Sequence, residues 1–304
     1  MLNVRNQLIT ENSERNIQLW MKRLDEVSPK GFGNKIYKLK YNLLEAKKLG
    51  CKTVLTFGGA YSNHIAALAQ EAKNKGFKSI AIIRGEELGQ NIEQTLQQNP
   101  TLAQAAQNGM QLEFISRSAY REKHTAAFKE DLINRFGPVY ILPEGGTNSL
   151  AVKGCEEILT STDKSFDYIC CPVGTGGTLS GIIKSATPEQ QVIGFAALNA
   201  DLTKNIEEFV ENGNWELIPD TCFGGFAKIN NELVSFINRF VEQHQIYLDP
   251  IYTGKMMYGI LDRLKSGCFK ENSRILAIHT GGLQGIAGMN QRLVKKNRPT
   301  IKYK

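Results

Sequence analysis

The stretch YICCPVGTGGTLSGIIK, residues 168–184, decides the fold. A six-residue apolar run, Tyr168 to Val173, reads as a strand buried on both faces. It stops at Gly174-Thr175-Gly176-Gly177-Thr178, and Leu179 to Lys184 then reads as a helix. Strand, glycine loop and helix in that order form one half of a parallel α/β unit, and backbone N–H groups at such a helix start bind phosphate without a basic side chain. The loop is not the dinucleotide fingerprint, because Leu179 stands where the third glycine belongs, nor a P-loop, because it lacks the lysine. A tight strand-to-helix turn with no ligand is the plain structural alternative.

Working outward, similar short runs recur: Thr53 to Phe57, Ser79 to Arg84, Gln111 to Ile115, Val139 to Leu142, Gln191 to Ala196 and Arg274 to His279. Amphipathic stretches separate most of them. Lys35 to Leu49, for example, is expected to place Ile36, Leu39, Leu43 and Leu44 on one apolar face. This alternation predicts parallel sheets covered by helices, in two α/β units. Four of the runs end in glycine, at Gly58-Gly59, Gly145-Gly146, Gly174 and Gly281-Gly282. Loops at the carboxyl ends of parallel strands form the ligand crevice of open α/β sheets, so at least three of these loops are expected at one site.

Composition narrows the class. The 304 residues are 41% hydrophobic and 22% charged, with a mean hydropathy of −0.29. No stretch approaches the ~20 apolar residues of a membrane span. The polar start, MLNVRNQLITENSERN, has no apolar segment of a secretory signal, so a cytoplasmic location is expected. The six cysteines show no CxxC pair, and no histidine pair has metal-ligand spacing, so neither a disulfide framework nor a metal is expected. The net charge of +7 is concentrated in residues 292–304, which hold six basic residues and no acid. A frayed, solvated C-terminal segment is expected there, not a nucleic-acid arm.

Several residues bear on chemistry. Lys35 falls in the first turn of its helix, where the helix dipole disfavours the ammonium form; an amine neutral part of the time can form a Schiff base with an aldehyde. Lys38 is its local competitor. Ser62 and Asn63 follow Gly58-Gly59 at a helix start, where they either cap the helix or present a hydroxyl and an amide to a ligand. Tyr252 lies at a turn before an apolar helix, and burial as a hydrogen-bonded phenol is the alternative for it. No GxSxG elbow is present.

Seven segments in order, LWMKRLD, GNKIYKLKYN, GGAYSNH, PEGGTN, GTGGT, DPIYTGKMMYG and HTGG, resemble the D-cysteine desulfhydrase and 1-aminocyclopropane-1-carboxylate (ACC) deaminase family of pyridoxal 5'-phosphate (PLP) enzymes. The resemblance spans about Leu19 to Gly288. It implies the tryptophan-synthase-β-like fold (fold type II), α/β, with two three-layer domains and parallel-rich sheets. Residues 1–44 and 148–304 are expected to form the larger PLP-binding domain and 45–147 a smaller inserted one, in a homodimer. It further implies that Lys35 is the Schiff-base residue, that Gly174, Thr175, Gly176, Gly177 and Thr178 hold the phosphate, and that Asn63 lies near the cofactor's ring oxygen. Thr280 is placed by it beside the pyridine nitrogen, Ser62 facing the substrate, and Tyr252 in the active site.

ACC deaminases of that family place glutamate after the DPxY tyrosine and leucine before the last Gly-Gly, where this chain has Thr253 and Thr280. Both positions resemble the desulfhydrase side. The expected activity is therefore conversion of D-cysteine to pyruvate, sulfide and ammonia, with a small amino acid as partner and neither nucleic acid nor membrane. ACC deamination to 2-oxobutyrate is the alternative, followed by a PLP-holding protein with little catalysis; a nicotinamide dehydrogenase is disfavoured by the missing glycine. Phe226 and Tyr37 depart from the family's tyrosine and arginine at those places.

Overall fold

The computed structural model describes residues 4–28, 32–198, 201–219 and 223–303. Ten strands occur among them: β1 (Asn6–Asn12), β2 (Ile17–Arg23), β3 (Thr53–Gly58), β4 (Lys78–Arg84), β5 (Met110–Ile115), β6 (Val139–Ile141), β7 (Tyr168–Val173), β8 (Gln191–Ala196), β9 (Trp215–Ile218) and β10 (Arg274–His279). All seven apolar runs of the sequence form strands. The chain divides into two compact units, residues 1–37 with 152–304, and residues 38–151. Their boundaries fall within the helices Asn34–Lys48 and Ser149–Cys155.

The first unit holds a six-stranded sheet of order β1-β2-β10-β7-β8-β9. Every pair is parallel except the β1–β2 hairpin. Period-two alternation sends Tyr168 and Cys170 of β7 and Ile275 and Ala277 of β10 into one core cluster. Ile169, Cys171 and Val173, with Leu276 and Ile278, enter the other. Burial on both faces explains why these strands read as unbroken apolar runs. It also sends the adjacent Cys170 and Cys171 to opposite faces of the sheet as core side chains. Burial pushes the Cys170 thiol up, which keeps it protonated and inert.

The second unit is a four-stranded parallel sheet of order β5-β4-β3-β6. Leu55, Phe57, Ile80 and Ile82 form its core with Tyr120 and Leu132. The strand order reverses between β3 and β6, so the loops after those two strands flank the switch point where such sheets take ligands.

The structure adds a hairpin and changes two sequence expectations. The segment 6–23, which joins the end of the polar start to the LWMKRLD motif, forms a hairpin whose turn carries Asn16 at φ +49° and whose edge strand is irregular between Leu8 and Thr10. Residues 295–303 are not frayed: Ile301 is buried, Asn290 bonds both its N–H and its carbonyl, and the Lys302 N–H donates to Asn238 Oδ1. One apolar anchor and two asparagines outweigh the chain entropy that the run of basic residues suggests. Leu44 is exposed rather than buried with Leu39 and Leu43, because it lies about 100° round the helix from Leu43. Cys222 lies outside the described residues, and among those residues no helix is long and apolar enough to cross a membrane.

Candidate active site

In the first unit, neighbouring parallel strands β7 and β10 end at the same edge of the sheet and release the loops Gly174–Thr178 and Thr280–Gly282 together. The start of the helix Asn34–Lys48 is fastened to both. The Asn34 N–H donates to the Thr280 carbonyl at 3.2 Å, and Asn34 Nδ2 donates to Thr178 Oγ1 at 2.7 Å. Gly33 makes that approach possible: at φ +52°, a Cβ on it would stand 2.0 Å from the Thr280 oxygen. Lys35, the next residue but one, donates from Nζ to Asn34 Oδ1 at 3.2 Å. Lys35, Thr178 and Thr280 are thus brought together through Asn34.

Tyr252 joins them beside the glycine loop, since a Cβ on Gly174 would lie 3.0 Å from its ring. Its position is set by Asp249, whose Oδ1 accepts the Ile251 and Tyr252 N–H groups and whose Oδ2 accepts the Thr253 N–H. The buried Thr253 hydroxyl donates to the same carboxylate at 2.7 Å and accepts the Asp249 N–H. Asp249 therefore supplies the anionic cap of the helix Thr253–Lys265, and Thr253 is held within that turn. Phe226 packs edge-on to Tyr252 with ring centroids 6.3 Å apart. Tyr37, the other departure, is a buried phenol of the second core cluster, pushed up to about 12 by burial.

The electrostatics of Lys35 differ from those of a surface lysine. Desolvation lowers its amine below the ordinary lysine value, and the neighbouring Cys155, Asp249 and Cys171 only partly offset this. Burial, more than the helix dipole invoked from sequence, drives the shift. The side chain keeps some solvent access, yet among the described residues no carboxylate comes within 4.0 Å of Nζ. Lys38, three residues on, is fully engaged: its Nζ donates to the Gly145 carbonyl and to Thr147 Oγ1, each at 2.7 Å.

A phosphate-bearing aldehyde suits these residues. Gly176, at φ +86°, turns the chain into the helix Gly177–Ser185 and, as its N-cap residue, has no side chain with which to cap it. Its first-turn amides are the donors a phosphate needs, and the lysine with a depressed pKa stands one hydrogen-bonded residue away.

Behind this site His279 is wholly buried. Its Nε2 donates to the Tyr247 carbonyl at 2.7 Å, and its Nδ1 accepts the Gly281 N–H at 3.1 Å. The Asp25 carboxylate also stands 3.6 Å from Nδ1. The imidazole thereby fixes the loop that carries Thr280. Asn34, Asp249 and His279 lie inside the segments GNKIYKLKYN, DPIYTGKMMYG and HTGG, in which the sequence suggests roles only for their neighbours.

Ser62 and Asn63 belong to the second unit, after β3. Ser62 caps the helix Asn63–Asn74, its Oγ accepting the Ile65 N–H at a long 3.4 Å. Close by in the same unit, buried His64 bonds Thr56 Oγ1 through Nε2 at 2.9 Å, and Thr56 in turn donates to the Leu142 carbonyl after β6. The two switch-point loops are joined by that relay.

Comparison with known proteins shows the family. Residues 6–281 match the family described as pyridoxal-phosphate dependent enzyme. A protein of Pyrococcus abyssi, named provisionally as a 1-aminocyclopropane-1-carboxylate deaminase, is 31% identical over 93% of this chain and 89% of its own. The bifunctional D-cysteine desulfhydrase/1-aminocyclopropane-1-carboxylate deaminase of Arabidopsis thaliana is 29% identical, over 88% of this chain and 73% of its own. The crystal structure of an ACC deaminase homologue superposes with a TM-score of 0.80 at 27% identity, covering 96% of this chain and 93% of that one. The α/β architecture with parallel-rich sheets is that of fold type II, and the chain belongs to the pyridoxal-phosphate dependent enzymes, in the group that contains the ACC deaminases and D-cysteine desulfhydrases.

Proposed function

We propose that the protein eliminates the β-substituent of a small amino acid, D-cysteine first, and that D-cysteine and water give pyruvate, sulfide and ammonia. When bound, PLP supplies an aldehyde for the substrate amine and a ring that accommodates the electron pair left at Cα. The observation that carries the reading is Lys35, an amine with a lowered pKa, no carboxylate partner among the described residues, and a tether through Asn34 to the glycine loop. A lysine that is neutral part of the time both holds an aldehyde and, once displaced by substrate, removes the proton from Cα. Tyr252, held against Gly174 by the Asp249 turn, is assigned to the proton of the departing thiol. Gly174 to Thr178 take the phosphate, and Thr280 the pyridine nitrogen. Ser62 is assigned to the substrate and Asn63 to the ring oxygen by the family resemblance.

The choice of D-cysteine over ACC rests on positions 253 and 280. The Thr253 hydroxyl bonds the Asp249 carboxylate, so a glutamate in its place would set one buried carboxylate against another. This chain therefore offers the ring a hydroxyl at 280 and no carboxylate from 253. ACC deamination is the second reading, favoured by the names of the Pyrococcus protein and of the superposed crystal structure. The proposal includes a homodimer in the cytoplasm. The deciding experiment incubates holoenzyme with D-cysteine, L-cysteine and ACC, measuring sulfide and separating pyruvate from 2-oxobutyrate. Equal amounts of pyruvate and sulfide from D-cysteine are expected. Production of 2-oxobutyrate from ACC with D-cysteine untouched reverses the order, and inertness toward all three leaves a cofactor-holding protein.

A further inference from the structure

The second unit contains a cavity of about 640 Å³ lined by none of the residues assigned to the reaction. It opens beside the ends of β3 and β4, against Gly59, Ala60 and Tyr61. Its charged lining is unbalanced. Arg117 pairs with Glu87, and Lys123 with Glu144 at 3.4 Å. Arg84 and Arg121 also line it, and among the described residues neither has a carboxylate within 4.0 Å or a hydrogen-bond acceptor. Two cations are thus left over.

A second, independent feature points into the same space. Tyr120 is only 3% exposed and lines the cavity, and its buried hydroxyl, beside the Glu144 carboxylate, makes no hydrogen bond of ordinary length. Lys123 Nζ lies 4.7 Å and the Arg84 guanidinium 5.8 Å from its ring centroid. Burial and the neighbouring Glu144 carboxylate push the phenol up, so it stays a donor at every physiological pH. Native proteins keep a buried hydroxyl that lacks a close acceptor where a ligand or water completes its bonding.

We propose that this cavity binds a small organic phosphate, its dianionic head taken by the Arg84 and Arg121 guanidinium groups and the Tyr120 hydroxyl. Two uncompensated arginines match a dianion, and the guanidinium fork matches phosphate oxygens bidentately. The volume falls in the range of small-molecule sites and far exceeds a bare phosphate, leaving Tyr61 and Leu88 to line the space for an organic body. A zwitterionic amino acid fits poorly, because its ammonium would face the same cations. Since Gly59 to Tyr61 run directly into Ser62, occupancy bears on the loop assigned to the substrate.

The test is calorimetric titration of the holoenzyme at constant ionic strength, with PLP already filling its own site, using glycerol 3-phosphate and inorganic phosphate as probes. One equivalent of glycerol 3-phosphate is expected to bind, more tightly than inorganic phosphate. The exposed pair R84A/R121A is expected to weaken binding at least about tenfold, and the conservative Y120F roughly three- to tenfold. Both variants are expected to keep the parent's cofactor absorbance and melting temperature. No heat up to about 10 mM ester, unchanged affinity in R84A/R121A, or inorganic phosphate binding as tightly as the ester would each overturn the proposal. None of these readouts depends on which amino acid the enzyme turns over.

Discussion

Lys35 and Lys38 stand one helical turn apart on the same helix, and the structure treats them in opposite ways. Lys38 is 2% exposed, with a carbonyl and a hydroxyl as acceptors at 2.7 Å. Lys35 has one neutral amide oxygen at 3.2 Å and an amine whose charged form desolvation disfavours. Residue type and secondary structure are identical, so the difference lies in the acceptors that each neighbourhood supplies. A lysine whose charge is satisfied is a structural tie; a lysine whose charge is opposed is available for covalent chemistry. The same contrast separates the strand-end loops. Those of the second unit are joined by a closed relay, His64 to Thr56 to Leu142, whereas Gly174 to Thr178 lead into a helix whose N-cap residue is a glycine.

The sharpest way to break the comparison is Lys35→Ala. Turnover is expected to fall by at least about 10³-fold, and borohydride treatment in the presence of PLP should no longer add the cofactor's mass to the peptide containing residue 35. Stability should move the other way. Because the Lys35 pKa is lowered on folding, the unfolded chain binds more protons between the folded value and the ordinary 10.5. Stability of the cofactor-free protein therefore rises with pH through that window, and the cost of burying the ammonium is fully present below it. Lys35→Met should melt higher than the cofactor-free parent at neutral pH and lose that part of the slope. A variant that melts lower at every pH would place Lys35 among the structural ties.

Gly33→Ala comes next. Its methyl would overlap the Thr280 carbonyl at a positive φ, so backbone must move and a loss of about 3 kcal/mol or more is expected by chemical denaturation. The separation of Asn34 from Thr280 should weaken cofactor retention at the same time. Lys38→Met is expected to cost about 1–3 kcal/mol by stranding the Gly145 and Thr147 acceptors, while PLP still attaches to residue 35. If Lys38→Met abolished attachment and Lys35→Ala did not, the roles of the two lysines would be exchanged.

The central strands were legible because both of their faces are buried, which writes each as an unbroken apolar run bounded by glycine. The hairpin 6–23 was not, because its edge strand NQLITEN mixes amides and an acid with its apolar residues and shows its pattern only once β10 has paired with β2. At the site, the glycine loops could be read from spacing, whereas Lys35 is singled out only by the family resemblance. The competition between Lys35 and Lys38 could not be read from spacing, since it turns on Gly145 and Thr147, more than a hundred residues away. Thr253 likewise reads as a bare departure from a motif until its hydroxyl is found on Asp249.

Ser62 sets the smallest and most discriminating test, because its two readings are compatible. As a cap it accepts the Ile65 N–H at 3.4 Å, a long bond whose loss in Ser62→Ala should cost about 0.5–1 kcal/mol. Asparagine caps as well as serine does, so Ser62→Asn should restore the melting temperature. It removes the hydroxyl assigned to substrate all the same. A serine that only caps would give an alanine variant slightly less stable and an asparagine variant like the parent in every respect. A serine that also meets the substrate would give two variants of different stability and similarly reduced kcat/KM. The split between denaturation and kinetics thus separates the cap from the chemistry at one position, which the two lysines achieve only as a pair.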